Sequence, residues 1–163
     1  MITKEYDVIV MGGGPSGFMA AIAAGRTGAK TLLVEKNGFL GGAATAAALG
    51  PISPFHIRDE QVVKGIPQEF MNRMVEYGAS PGHCKVLDPY GSGAYLGFYD
   101  RERYKYIALQ MVLEAGAEVL FHSFFYETVM DGDRVAGVKV VNKSGLNVLK
   151  AKVVVDATGD GDV

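Results

Sequence analysis

Apolar and polar positions along the chain follow two different periods. Tyr6 to Met11 (YDVIVM) is a short, β-branched, mostly apolar run, the pattern of a strand buried on both faces of a parallel sheet. Ser16 to Thr27 is rich in alanine and reads as a helix, with Gly28 as its stop. Lys30 to Glu35 (KTLLVE) is a second buried strand, and the three pieces form one βαβ unit. Residues Asn37 to Gly50 are small and predict a loop followed by a short helix. Pro51 to about Gly65 predicts loop. Ile66, Phe70, Met74 and Tyr77 recur at helical spacing, so Ile66 to Tyr77 is a helix. Gly78 to Gly97 reads as irregular. A further helix starts after Asp100, its N-cap, and runs to about Ala115. Ala117 to Phe121 (AEVLF) is a third parallel-type strand.

Beyond it the pattern changes. Ser123 to Met130, Arg134 to Asn142 and Leu146 to Lys150 are extended runs separated by turn-type Asp131-Gly132-Asp133 and Lys143-Ser144-Gly145. They predict an antiparallel β-meander over residues 123–150. Lys152 to Ala157 (KVVVDA) is a last parallel strand, ending in Thr158-Gly159-Asp160-Gly161-Asp162. The fold class is α/β: a three-layer, Rossmann-like domain with parallel strands in the order third, second, first, last, and a meander covering one face. No linker or internal repeat divides the chain, so 1–163 is read as one domain.

Composition adds one unusual figure. Glycine supplies 22 of 163 residues, roughly twice ordinary usage. The net charge is −2 and no block of like charges occurs, which argues against nucleic-acid and anionic-membrane partners. The single cysteine, Cys84, allows no internal disulfide and no cluster ligated by thiolates of this chain alone. The most apolar stretch, Val8 to Gly25, is broken by Gly12-Gly13-Gly14-Pro15-Ser16-Gly17 and falls short of the roughly 20 apolar residues of a membrane span. With no export signal read at the N-terminus, a cytoplasmic location is the expectation.

The glycines carry the chemistry. Gly12, Gly14 and Gly17 fit G-x-G-x-x-G between a strand and a helix. In that motif the first glycine makes the tight turn, the second lets the backbone approach a pyrophosphate, and the third lets helix and strand pack closely. The helix N-terminus then presents free N–H groups and partial positive charge to phosphate. Glu35 ends the second strand, where a carboxylate accepts hydrogen bonds from both ribose hydroxyls. The motif serves NAD and FAD alike. FAD is longer and needs further close-approach points. Gly41-Gly42 with Ala43-Ala44-Thr45, and Ala157-Thr158-Gly159-Asp160 at the end of the last strand, are the candidates. Three readings stay open on these residues: an FAD-binding portion of an oxidoreductase, an NAD-binding dehydrogenase module, and a non-catalytic truncated or accessory domain.

The run DVIVMGGGPSGFMAAIAAGRTGAKTLLVEKNGFLGGAAT resembles the amino-terminal signature of FAD-dependent oxidoreductases of the glutathione reductase type, nearest the branch similar to fumarate reductase flavoproteins. KGIPQEFMNRMVEYG, YDRERYKYIALQMVLEAGAEVLFHS and AKVVVDATGDGDV resemble the FAD-dependent oxidoreductase family that includes relatives of the heterodisulfide reductase flavoprotein subunit. The resemblance implies roles residue by residue. Gly12, Gly14, Pro15, Ser16 and Gly17 hold the FAD pyrophosphate. Glu35, with Lys36 beside it, holds the adenosine ribose. Gly42, Ala43 and Thr45 run along the pyrophosphate and ribitol. Phe125, in the strand after His122, reads the adenine edge. Ala157, Thr158, Gly159 and Asp160 close over the cofactor.

It also implies a hydride or electron transfer between FAD and an unidentified substrate or electron-transfer partner. The iron–sulfur clusters of some relatives are not expected from one cysteine. The chain stops at Val163, at its ATGDGD segment, so the expectation is an N-terminal fragment, inactive alone and partnered by the remainder of its own chain. Residues 51–97 are expected to form an insertion toward the substrate.

Other candidates for chemistry are weaker. Adjacent His83 and Cys84 point different ways in most backbones, so a nucleophile–base pair is poorly supported, and Cys84 reads as an incidental thiol. His56 is a candidate to face the flavin. His122 reads as structural. Tyr99, Tyr104 and Tyr106, interleaved with Arg101, Arg103 and Lys105, scatter around a helix and read as a solvated, partly buried face rather than a base-stacking platform.

Overall fold

In the computed structural model, residues 3–87 and 94–163 are described. A six-stranded sheet forms the centre, in the order β7-β2-β1-β10-β9-β8. Its strands are β1 (Thr3–Met11), β2 (Thr31–Val34), β7 (Glu118–Leu120), β8 (Phe124–Asp131), β9 (Arg134–Asn142) and β10 (Gly145–Asp156). β7, β2, β1 and β10 run parallel, in the order expected from the sequence. Three helices complete the regular elements around it: α1 (Pro15–Arg26), α2 (Ile66–Glu76) and α3 (Arg101–Glu114). Between them lie two small hairpin-like ribbons, β3 (His56–Ile57) with β4 (Glu60–Gln61), and β5 (His83–Val86) with β6 (Ala94–Gly97).

At its centre, in β2 and the second half of β1, the sheet buries both faces, which is why those strands are continuously apolar. On one face Val10 and Leu33 pack with Phe18 and Ile22 of α1, Phe70 and Met74 of α2, and Ile107 and Met111 of α3. Phe18, Phe70 and Tyr104 join their rings there, with centroids 5.2, 4.6 and 6.0 Å apart. On the other face Ile9, Met11, Leu32 and Val34 pack with Val138 and Val140 of the meander. The meander therefore continues the sheet through β10 and also covers its second face.

An irregularity in β1 assigns its residues to these faces. Asp7 N and Val8 N both donate to the Lys30 carbonyl. The alternation slips there, so Tyr6 joins Ile9 and Met11 while Val8 and Val10 face the helices.

Several expectations shift in detail. Leu146–Lys150 and Lys152–Ala157 are not two strands. They are the two halves of β10, because no turn residue stands between them. The first half pairs with β9 and β1, and the second half with β1 alone. The stretches read as loop and as irregular hold β3–β4 and β5–β6; the rest of the second, residues 88–93, lies outside the described residues. The short helix in Asn37–Gly50 is a single 3₁₀ turn, Gly42–Ala44. Asp100 caps α3 as read, its carboxylate accepting from Arg103 N at 2.8 Å. No helix among the described residues is long and apolar enough to cross a membrane.

Candidate functional site

The C-terminal ends of β1, β2 and β10 open onto a groove of about 670 Å³. This is the end of a parallel sheet where ligands bind. Each glycine of the motif has a distinct reason to be glycine. Gly12 sits at φ +95, and a Cβ there would collide with the Ala157 carbonyl. A Cβ at Gly17 would collide with the Gly12 carbonyl. Gly14 is different: a Cβ there would meet no protein atom within 4 Å. Its missing side chain frees space in the groove, not in the protein. Gly42 lies across from it, so a Cβ at Gly42 would come 2.8 Å from Gly14 Cα.

Helix α1 starts at this point. Gly14 is its N-cap and Pro15 opens its first turn, with no side-chain cap and no acidic residue in that turn. The first N–H groups of the helix are left for an outside acceptor, and nothing nearby on the helix repels an anion.

Glu35 is the most constrained polar residue of the site. It is 5% exposed. Oε2 accepts from Gly13 N at 2.7 Å. Oε1 accepts from Asn37 N at 2.7 Å and from Asn37 Nδ2 at 2.8 Å. The acid thus ties the glycine loop to the end of β2. Further backbone bonds brace the same corner: Gly41 N to Gly13 O at 2.8 Å, Ala157 N to Met11 O at 2.8 Å, and Ser123 N to Glu35 O at 3.1 Å.

The opposite wall is the turn after β10. Thr158 Oγ1 donates to Asp156 Oδ1 at 2.7 Å and accepts from Gly161 N and Asp162 N at 3.1 and 3.0 Å. Burial pulls the Asp156 carboxyl up, but the hydrogen bonds from Thr158 and Val163 outweigh it and hold its pKa below the ordinary range. The turn is closed by its own side chains, leaving Ala157, Thr158, Gly159 and Asp160 along the groove.

Most residues singled out from the sequence line this one groove: Gly12, Gly14, Pro15, Ser16, Glu35, Lys36, Gly42, Ala43 and Phe125, besides that turn. Two do not. Thr45 is 4% exposed and its hydroxyl donates to Leu40 O at 2.8 Å, so it closes the 3₁₀ turn from behind. Gly17 is buried beneath the loop, and its missing side chain is required by packing. Sequence reading missed Asn37, Ala46, Ala47, Ser123, Phe124 and Asp162, all of which line the groove. Ala46 and Ala47 had a signal in the run of small residues. Asn37 had none, because its place depends on the rotamer of Glu35.

His56 does not line the groove. Its ring stacks on Tyr95 at 4.3 Å and meets His83 edge-on at 5.0 Å. His83 in turn packs against Phe55 and bonds through Nε2 to Gln68 Oε1 at 2.8 Å. Among the described residues the one polar partner of Cys84 Sγ is the Gly82 carbonyl, at 3.9 Å. His122 lies against Gly38, where a Cβ would fall 2.8 Å from its ring, in keeping with a structural role. Among the described residues no group of three potential metal ligands occurs.

Comparison with known proteins identifies the family. The family described as FAD dependent oxidoreductase matches residues 7–163. Digeranylgeranylglycerophospholipid reductase of Methanocaldococcus jannaschii is 32% identical over 163 residues, covering 97% of this chain and 39% of the reductase. Thiamine thiazole synthase of Aeropyrum pernix is 30% identical, covering 94% of this chain and 54% of the synthase. The chain therefore spans well under two thirds of these relatives. Among solved structures, a geranylgeranyl bacteriochlorophyll reductase-like protein of Thermoplasma acidophilum superposes with a TM-score of 0.68 at 22% identity, covering 96% of this chain and 40% of that one. The likeness to that structure shows the shared fold. The chain belongs to the FAD dependent oxidoreductase family, whose cofactor is FAD.

Proposed function

We propose that the groove is the FAD site and that this chain is the FAD-binding portion of an oxidoreductase. The observation that carries the reading is the contrast among the motif glycines. Gly12 and Gly17 are glycine because protein atoms stand where a Cβ would be, whereas Gly14 faces open groove. Backbone without a side chain, at an uncapped helix N-terminus, suits a pyrophosphate.

In this reading Gly14 and Ser16 hold the pyrophosphate through backbone N–H groups and the helix dipole, while Pro15, which has no N–H, fixes the first turn of α1 beside it. Glu35 and Lys36 face the adenosine ribose. Phe125 lies on β8, the terminal strand of the sheet, where backbone groups on the outer edge are unpaired within the sheet and suit an adenine edge. Gly42 and Ala43 follow the ribitol, and Ala157 to Asp160 close the opposite wall. Thr45 and Gly17 support the site without touching the cofactor. When bound, FAD supplies the hydride and electron chemistry. The chain's share is to bind it, orient it and keep water from its phosphates. The ribbons of residues 51–97 are proposed to lie toward the substrate, and parts outside this chain to complete the enzyme.

The test is the visible spectrum of the purified chain, as isolated and after reconstitution, with the released cofactor identified by mass. Flavin absorbance and FAD are expected. A chain that stays colourless after reconstitution while keeping a native circular dichroism spectrum contradicts the proposal.

A further inference from the structure

Glu35 is expected to accept both hydroxyls of a ribose, but its hydrogen bonds do not leave it free to do so. A carboxylate oxygen offers about two acceptor positions. Oε1 already takes two bonds, both from Asn37, at 2.7 and 2.8 Å. Oε2 takes one, from Gly13 N at 2.7 Å. One acceptor position is therefore left, on Oε2, for a diol that presents two hydroxyls.

Asn37 lines the same groove beside Glu35. Its backbone is held on both sides, N–H to Glu35 and C=O accepting from His122 N at 3.2 Å. Its amide orientation is set by the carboxylate, which can only accept, so Nδ2 faces Glu35. Oδ1 lies on the other side of the same planar amide and accepts no bond from the described residues. It is not among the buried unpartnered atoms, so it is open to solvent.

We infer that the ribose diol is divided between two residues: Glu35 Oε2 accepts one hydroxyl and Asn37 Oδ1 accepts the other. This rests on the reading of the groove as the FAD site and adds Asn37 to it as a binding residue. Asn37 also immobilises the acid, so the pair is set in place before the nucleotide arrives.

The probes are FAD, its 2′-deoxyadenosine and 3′-deoxyadenosine analogues, and FMN, which lacks the adenosine. Affinities are read by quenching of flavin fluorescence on the wild-type chain, Asn37→Ala and Glu35→Gln, with thermal melts to confirm folding. On the wild-type chain each deoxy analogue binds more weakly than FAD, which needs no variant to fold. Asn37→Ala weakens FAD by about three- to tenfold, the range of one hydrogen bond, and leaves any FMN binding unchanged. The loss disappears for one deoxy analogue and persists for the other, because that analogue has already lost the hydroxyl Asn37 holds. Glu35→Gln couples to the opposite analogue.

Equal losses on both analogues would mean that Asn37 acts only through Glu35, and would overturn the inference. So would Asn37→Ala binding FAD as well as or better than wild type. A wild-type chain that binds no FAD overturns the site reading itself, and the inference with it. Normal FAD binding with no differential loss overturns the inference alone.

Discussion

The glycine cradle and the ribbons of residues 51–97 are built on opposite plans. The cradle is held by backbone: Gly13 N on Glu35, Gly41 N on Gly13 O, Ala157 N on Met11 O. The ribbons are held by side chains: His56 between Tyr95 and His83, His83 against Phe55 and on Gln68. Among the described residues one isolated bridge, Ile52 with Gly97, joins the segment before β3 to β6. The first plan places N–H groups where they cannot drift, which suits an invariant ligand such as a dinucleotide. The second pairs backbone within each ribbon but lets side chains set how the ribbons meet, so single substitutions can reshape that surface.

The contrast breaks most sharply at Gly17. Gly17→Ala forces a Cβ into the Gly12 carbonyl, which is backbone and cannot swing aside, with Ala157 Cβ 3.2 Å away. A loss of roughly 3 kcal/mol or more is expected from such overpacking, read by urea denaturation, and FAD binding should fall with it. A stability within error of wild type would show that the loop yields and that the cradle is not rigid.

A smaller effect is expected in the ribbons. Tyr95→Ala removes the ring stacked on His56 and should cost about 1 kcal/mol of local stability. Amide exchange in β5 and β6 should rise while FAD affinity stays put. A parallel loss of FAD affinity would mean that the two regions are one unit.

The smallest effect is on pH. Burial, and then the positive charge of His56, hold the His83 pKa below the usual histidine value. The fold therefore favours the neutral ring. The ribbon's stability is complete above the ordinary histidine value, about 6.5, declines as pH falls below it, and levels off beneath the folded pKa. Protection factors of the β5 amides, corrected for intrinsic exchange, should fall as pH drops across that window, with the His83 ring titrating below a free histidine. A His83 that titrates at or above the free value would remove this account of the cluster.

What was legible in the sequence follows the same division. α1, the capping of α3 by Asp100 and the groove-lining glycines were readable because each depends on local spacing, and the strand order because it follows from the family resemblance that spacing brought to light. The ribbons were not, since strands of two to four residues carry too little period and their partners lie far along the chain. Thr45 was misplaced because a hydroxyl near a cofactor motif looks like a ligand, while Leu40 O offered it a nearer acceptor. β10 was split in two because its halves have different neighbours, although its backbone is continuous. Asn37 could not be seen at all, as its role appears only once Glu35 is placed.

The central claim is that Gly14 is glycine for a ligand's sake, unlike its two motif partners. The direct measurement is FAD titration of Gly14→Ala beside its urea denaturation curve. Gly14 has φ −66, which alanine adopts without strain, and open space at its Cβ position. Stability should stay within about 0.5 kcal/mol of wild type, while FAD affinity falls about tenfold or more, as a methyl group enters the space of the pyrophosphate. A Gly14→Ala chain that is stable and binds FAD as tightly as wild type would contradict the account.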